Sequence, residues 1–286
     1  MVSTGGKVME ILKGSKVAES ITNGCIEELK TRKRVPQLAI IRVGERPDDV
    51  FYERGATKRM AKIGLRCTSY QYDADITNEE FQKAFDAVNA DPDVDGILML
   101  RPLPKHLDER LIEKKINPAK DVDGISPMNM AKIYAGDDSG FAPCTAEAVI
   151  EMLDYEKIDL TGKRVSIIGR SLVIGKPLAM MLIKKNATVT VCHTRTKNVE
   201  EECQKAEIIV AAAGKAKMVT SDYISDGAVV IDVGINVDEN GTMCGDVDFD
   251  TVSEKTSIIT PVPGGVGSVT TSVLAKHLMR AALERE

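Results

Sequence analysis

The stretch whose residue types and spacing point most directly to chemistry is Val165-Ser-Ile-Ile-Gly169-Arg170-Ser171-Leu-Val-Ile-Gly175-Lys-Pro177. An aliphatic run enters a glycine-containing turn and leaves it as a helix. Backbone N–H groups at such a helix N-terminus hold a pyrophosphate. The spacing is G-x-S-x-x-x-G-x-P, so the usual G-x-G-x-x-G fingerprint is not met, and a βα turn that binds nothing has the same local pattern. The following strand ends in His193-Thr194-Arg195. NAD enzymes commonly place an acid there for the ribose 2′-hydroxyl. Arg170, Thr194 and Arg195 instead suit a 2′-phosphate, which points to NADP; solvated surface arginines are the plain alternative.

Two more turns carry weaker signals. Asp121-Val-Asp123-Gly124 pairs acids before a glycine, a pattern common in loops without chemistry. Pro261-Val-Pro263-Gly264-Gly265-Val-Gly267 combines stiff prolines with glycines that allow close backbone approach to a ligand. Of the three histidines, His193 is a phosphate-site neighbour or a packing residue at a strand end. His106 and His277 read as surface or interface positions, and none is a candidate base.

The elements that would position these residues alternate between strand-like and helix-like segments. In the first half, an amphipathic segment over 7–33 precedes a strand at 37–43, a helix at 48–63 closed by Gly64, a strand at 68–72, a helix at 77–89 and a strand at 96–100. Thr77 and Glu80 have capping-box spacing. In the second half, strands are expected at 163–168, 187–192, 207–213, 227–234 and 257–260. Helices are expected at 143–155, 176–186, 199–205 and 269–286. Such alternation argues for α/β architecture with parallel sheets.

Length and composition bound the answer. A chain of 286 residues has room for two domains. A net charge of −5, with no run of like charges, gives no global attraction for nucleic acid or an anionic membrane. Six Tyr, five Phe and no Trp argue against base-stacking platforms. No apolar run approaches the roughly 20 residues of a membrane helix, and Met1 to Lys13 lacks a secretory pattern, so a cytoplasmic protein is expected. The six cysteines form no C-x-x-C pair; free thiols and no metal site are expected.

These residues together resemble the methylenetetrahydrofolate dehydrogenase/methenyltetrahydrofolate cyclohydrolase family. The matching stretches span nearly the whole chain: Val43-Gly44 with Tyr52, Asp95-Gly96 with Pro102-Leu-Pro104, Lys120 to Gly124, Pro143-Cys-Thr145, Ile168 to Ser171 with Gly175-Lys-Pro177, Asp232 to Ile235, Gly245-Asp246-Val247, and Thr260 to Gly267. The resemblance implies an N-terminal three-layer α/β domain at 1–142, onto which a C-terminal helix at 268–286 packs back. It implies a C-terminal Rossmann-like doubly wound parallel sheet at 143–267, with a cleft between the two. It further implies a tetrahydrofolate derivative as substrate, with Tyr52 stacking on the pteridine, Asp123 binding the pterin ring, and Pro263, Gly264 and Gly265 lining the site. NADP would be held by Gly169, Arg170, Ser171, Gly175, Thr194, Arg195 and Ile235. A homodimer is implied as well.

Two departures stand out from the family pattern. The family carries Tyr-x-x-x-Lys on one helix, its lysine serving the cyclohydrolase step, and a glutamine before Pro-Leu-Pro that contacts the lysine. Here these positions are Ala56 and Leu100. Lys58 sits about 200° around the helix from Ala56, and Arg59 is too basic to exchange protons near neutral pH. Hydride transfer needs alignment and no protein base, whereas hydrolysis needs protons moved. The reading is therefore an NADP-dependent dehydrogenase with weak or absent cyclohydrolase activity. Alternatives are a bifunctional enzyme with another proton carrier, a binding protein that no longer catalyses, and an unrelated amino-acid dehydrogenase, which would need a lysine–aspartate pair that the first half does not offer. Asp49, Ala146 and Ser268 also depart, without a predictable effect.

Overall fold

The computed structural model describes residues 9–285. The expected start of the first segment at residue 7, the reading of the first eight residues as non-secretory, and the last residue of the C-terminal helix lie outside them. The chain forms two compact units. One comprises the chain up to Val17 together with Thr145–Thr270, the other Ala18–Cys144 together with Thr271–Glu286.

This division corrects the expectation that residues 1–142 form one domain. Glu10–Ile11 is a short strand that pairs in parallel with Ile258–Ile259, so residues 9–17 belong with 145–270. The Leu12 N–H donates to Ile259 O at 2.8 Å, and the Gly14 N–H to Gly264 O at 2.9 Å. A two-residue strand has no periodicity to betray it.

The second unit is built on a parallel sheet in the order Arg66–Tyr72, Gln37–Val43, Gly96–Met99. The middle strand is buried from Leu38 to Val43, as a β-strand covered on both faces must be. On one face Ala39, Ile41, Ile97 and Met99 pack with Phe81 and Phe85 of helix Asn78–Ala90 and Ile112 of helix Glu109–Lys115. On the other, Arg42 bonds Glu53 of helix Pro47–Ile63, and Gly96 lies against Leu278 of helix Thr270–Leu283. Pro47 and the acids Asp48 and Asp49 open helix Pro47–Ile63, where the dipole favours negative charge, and Gly64 ends it in the left-handed conformation. Thr77 and Glu80 form the expected capping box. Helices Glu109–Lys115 and Pro127–Ala135 were not foreseen; at seven and nine residues they are too short for a clear apolar stripe, but Asp108 and Ser126 cap them.

The first unit contains a six-stranded sheet in the order Glu10–Ile11, Ile258–Ile259, Val229–Asp232, Ile208–Ala211, Arg164–Ile168, Thr188–Cys192, every pair parallel. The order in which strands are laid down reverses at Arg164–Ile168: the next strand lies on one side and the one after it on the other. Such a switch point opens a crevice at the carboxyl ends of the strands, where ligands bind in doubly wound sheets. An antiparallel pair, Asn236–Val237 with Met243–Cys244, was not expected. Among the described residues no helix is long and apolar enough to cross a membrane, and all six cysteines are free thiols.

Candidate functional site

In the first unit the turn 169–175 sits at the carboxyl end of the switch-point strand. The Gly169 N–H donates to Cys192 O at 2.9 Å, tying this turn to the one after the neighbouring strand. Gly169 has φ +135, and a Cβ there would lie 2.1 Å from Ala212 O; a Cβ on Gly175 would lie 2.1 Å from Gly169 O. Both glycines are therefore demanded by the compactness of the turn itself. Helix Gly175–Lys184 has no side-chain cap at its N-terminus. Instead the Ser171 hydroxyl accepts from the Ile174 N–H at 3.1 Å just before it. Arg170 and Ser171 are exposed.

Thr194 and Arg195 are exposed in the neighbouring turn. His193 and Thr196 shape it. The Arg195 N–H donates to His193 Nδ1 at 3.1 Å, and the His193 N–H to Thr196 Oγ1 at 2.8 Å. His193 thus helps to form the turn that carries Arg195. The turns carrying Arg170 and Arg195 follow adjacent strands, so two guanidinium groups and a helix N-terminus are presented at one end of the sheet. That donor set fits a dinucleotide with an extra phosphate.

Behind the remaining turns lies a pair of buried carboxylates, Asp232 and Asp246, whose task the sequence pattern alone does not reveal. Asp232 Oδ1 accepts from the N–H groups of Gly234 and Asp246, both at 3.0 Å, and Oδ2 accepts from the Val247 N–H at 3.0 Å. Asp246 in turn accepts from the N–H groups of Ala213, Gly214 and Lys215 and from Asn236 Nδ2, between 2.6 and 3.0 Å. Two side chains therefore fix three loops at the strand ends, including the one that presents exposed Ile235. Burial pushes the Asp232 carboxyl up to about 6, against the pull of its backbone donors. Pro263 and Gly264 are exposed and Gly265 buried, all in this unit.

In the second unit, Tyr52 is partly exposed and Ala56, one turn later, is completely buried. Leu100 is also buried; its N–H donates to Ile41 O at 2.9 Å, continuing the sheet ladder. The stretch Lys120 to Gly124 divides by function. Lys120 is buried and Nζ donates to the carbonyls of Asn89 and Asp91 at 2.8 and 2.5 Å, closing the end of helix Asn78–Ala90. Asp121 accepts from the N–H groups of Ile125 and Ser126 and from Asn129 Nδ2, organising the start of helix Pro127–Ala135. Asp123 retains partial exposure. Its Oδ1 accepts from the Cys144 N–H at 2.9 Å, at the head of helix Cys144–Tyr155. Burial raises the Asp123 carboxyl above the ordinary carboxylate range, with the Cys144 amide and the Arg101 charge opposing.

The nearby cations are placed elsewhere. Lys58 lines a groove of about 290 Å³ with Arg42, Glu53 and Gln71 beside the edge strand. Arg59 reaches Thr22 Oγ1 at 2.9 Å and Thr271 Oγ1 at 3.3 Å. Asp49 is buried beside Arg46 in the first helical turn, and Ala146 is buried; nothing in the structure explains the departure at Ser268. His106 is exposed, its Nε2 2.9 Å from Ile76 O. His277 contradicts the surface expectation: it is 1% exposed, because its face of the C-terminal helix packs on Val122, Phe141 and Cys144.

Comparison with known proteins bears on the whole chain. A family model described as the tetrahydrofolate dehydrogenase/cyclohydrolase catalytic domain matches residues 12–123, and its NAD(P)-binding domain counterpart matches residues 143–286. The bifunctional protein FolD of Alkaliphilus oremlandii is 52% identical over 274 residues, covering 95% of this chain and 96% of its own. The crystal structure of the bifunctional FolD methylenetetrahydrofolate dehydrogenase/cyclohydrolase from Campylobacter jejuni superposes with a TM-score of 0.94 at 39% identity, covering 98% of this chain and 100% of its own. The Trypanosoma brucei enzyme, solved with NADP cofactor and an inhibitor, gives 0.91 at 34% identity, with coverage of 96% and 98%.

Proposed function

Because this chain belongs to the tetrahydrofolate dehydrogenase/cyclohydrolase family, we propose that it oxidises 5,10-methylenetetrahydrofolate to 5,10-methenyltetrahydrofolate with NADP, and that it hydrolyses the product weakly or not at all. The observation that carries the second half is the pair of apolar residues at Ala56 and Leu100, both buried where the family resemblance calls for lysine and glutamine.

NADP, when bound, supplies the hydride acceptor. The chain's own task toward it is to bind: the turn carrying Gly169, Arg170 and Ser171 and the helix N-terminus at Gly175 take the pyrophosphate, Arg170, Thr194 and Arg195 the 2′-phosphate, and Ile235 offers an apolar contact. Toward folate, Tyr52 stacks on the pteridine and ionised Asp123 accepts hydrogen bonds from the pterin's N–H groups, while Pro263, Gly264 and Gly265 line the substrate. Neither Tyr52 nor Asp123 has to move a proton for hydride loss. Hydrolysis of the methenyl cation does require proton traffic, and position 56 has only a methyl group.

Full bifunctionality is the second reading, favoured by the names of the relatives, which are called bifunctional. It needs another proton carrier. Lys58 lines the groove beside the edge strand and Arg59 is engaged by two threonines, which speaks against either of them in that role. The test is to supply methylenetetrahydrofolate and NADP and follow the methenyl species by absorbance. It should accumulate and decay at its spontaneous rate; rapid enzymatic conversion to formyltetrahydrofolate would sink the proposal. Light scattering after size exclusion tests the homodimer that the resemblance implies.

A further inference from the structure

The Val122-Asp123 peptide is gripped from three sides within the second unit. His277 Nδ1 lies 2.8 Å from Val122 O. A carbonyl oxygen carries no proton, so the imidazole Nδ1 is the donor. The Cys144 thiol donates to the same oxygen at 3.4 Å, while the Cys144 N–H holds Asp123 Oδ1 at 2.9 Å. The Val122 side chain leaves no room beside Gly96, where a Cβ would come within 2.8 Å of it and of Leu278. On the far side Gly124 has φ +63, and a Cβ there would lie 2.3 Å from Phe141 O. The peptide bearing Asp123 can therefore shift neither toward the strand nor toward the segment at Phe141.

The imidazole is itself held. Its ring meets Phe141 edge-on with centroids 5.4 Å apart. Arg280, one turn further along the same helix, lies 3.9 Å above the Phe141 ring and donates to the carbonyls of Asp138 and Gly140 at 3.0 and 2.7 Å. A buried histidine donating to a loop carbonyl in this way is over-supported for mere packing: an apolar residue of similar size would fill the same volume.

We propose that His277 is a positioning residue, which through Val122 O and with Cys144 aims the Asp123 carboxylate at the folate. The role makes the C-terminal helix a working part of the substrate-binding unit. It rests on the reading that Asp123 binds the pterin.

The test uses the full-length enzyme with His277→Leu, His277→Asn, Asp123→Asn and the Asp123→Asn/His277→Leu double variant. KM for folate, KM for NADP, kcat and melting temperature are measured. His277→Leu should raise the folate KM about fivefold or more and leave the NADP KM unchanged, a split that loss of stability alone does not produce. His277→Asn should recover most of the folate affinity, because its amide N–H reaches close to the place of Nδ1. On an Asp123→Asn background His277→Leu should add little, since both act through one carboxylate. A folded His277→Leu with normal folate KM, a parallel rise in both KM values, or additive effects would overturn the proposal. Should the leucine variant not fold, His277→Gln against His277→Asn gives the same reading: equal folate KM values overturn it. If Asp123→Asn leaves the folate KM unchanged, the assignment of Asp123 itself falls; if it raises KM while the His277 variants do not, only the positioning role falls.

Discussion

The backbone N–H of Cys144 donates to Asp123 Oδ1 at 2.9 Å, tying the carboxylate to the positive end of a twelve-residue helix. The helix end favours the ionised form, yet burial outweighs it and raises the carboxyl above its usual range. Protonation turns one of the two carboxylate oxygens into a donor, which cannot meet a pterin N–H. On acidification, kcat/KM for folate should therefore fall at a pH above the roughly 4 expected of an ordinary aspartate. Asp123→Asn should lose that acid limb, and retention of the limb would assign it to another group.

Arg170 and Arg195 follow adjacent strands and are both exposed. If they bind the 2′-phosphate, Arg195→Ala should raise the NADP KM about tenfold or more, the worth of one charge-assisted hydrogen bond. Activity with NAD should change little. Steady-state kinetics with both cofactors measures the ratio, and an equal loss with NAD would point to a structural role.

Ala56→Lys with Leu100→Gln should restore hydrolysis of the methenyl species by a factor on the order of 10², the usual worth of a positioned proton carrier. Ala56 is fully buried, so the longer side chain should cost about 1–3 kcal/mol of stability. Decay of methenyl absorbance reads the first effect and thermal melting the second. No gain in a folded double variant would mean that more than this pair separates the chain from hydrolysis.

Lys120 closes a helix end through the Asn89 and Asp91 carbonyls, and burial lowers its ammonium pKa. Lys120→Met should reduce stability by about 1–3 kcal/mol, the cost of leaving buried acceptors unpaired. Its KM values should stay unchanged in the folded fraction. A lowered kcat at full stability would give Lys120 a place in the chemistry instead.

Asp232 retains its proton in the fold up to about pH 6, whereas the unfolded chain releases it near 4. Between these values the folded state binds more protons, so this group's contribution to stability falls as pH rises and is lost above about 6. Asp232→Asn removes the titration and also one acceptor, leaving the Val247 N–H without its oxygen. The wild type's stability advantage over that variant should be larger at pH 5 than at pH 7, as chemical denaturation at the two pH values will show. An advantage that grows with pH would contradict the burial of the acid.

Much of this arrangement was legible in the residues. Long elements announced themselves by periodicity and punctuation: the helix after Pro47 stops at Gly64, and Thr77 and Glu80 cap the next. The phosphate turn was legible because strand, glycine and helix follow one another within a dozen positions. What escaped was set by partners far away in sequence. Glu10 and Ile11 become a strand only because Ile258 and Ile259 offer an edge. His277 looked like a surface residue because nothing near it in the chain reveals Phe141 or Val122. Lys120, Asp121 and Asp123 sit within four positions, yet only their hydrogen-bond partners, near for Asp121 and distant for the other two, separate two structural residues from the one left partly exposed.

The crossing of the termini between units also dictates how the chain is completed during its synthesis. Glu10–Ile11 leaves the ribosome well over two hundred residues before its partner Ile258–Ile259 and must wait for it, while the unit begun at Ala18 awaits the helix after Thr270. The usual order, in which an N-terminal domain matures before its successor is made, is therefore closed to this protein. Each unit reaches its final form only after its second segment has emerged, and no single cut yields either of them whole.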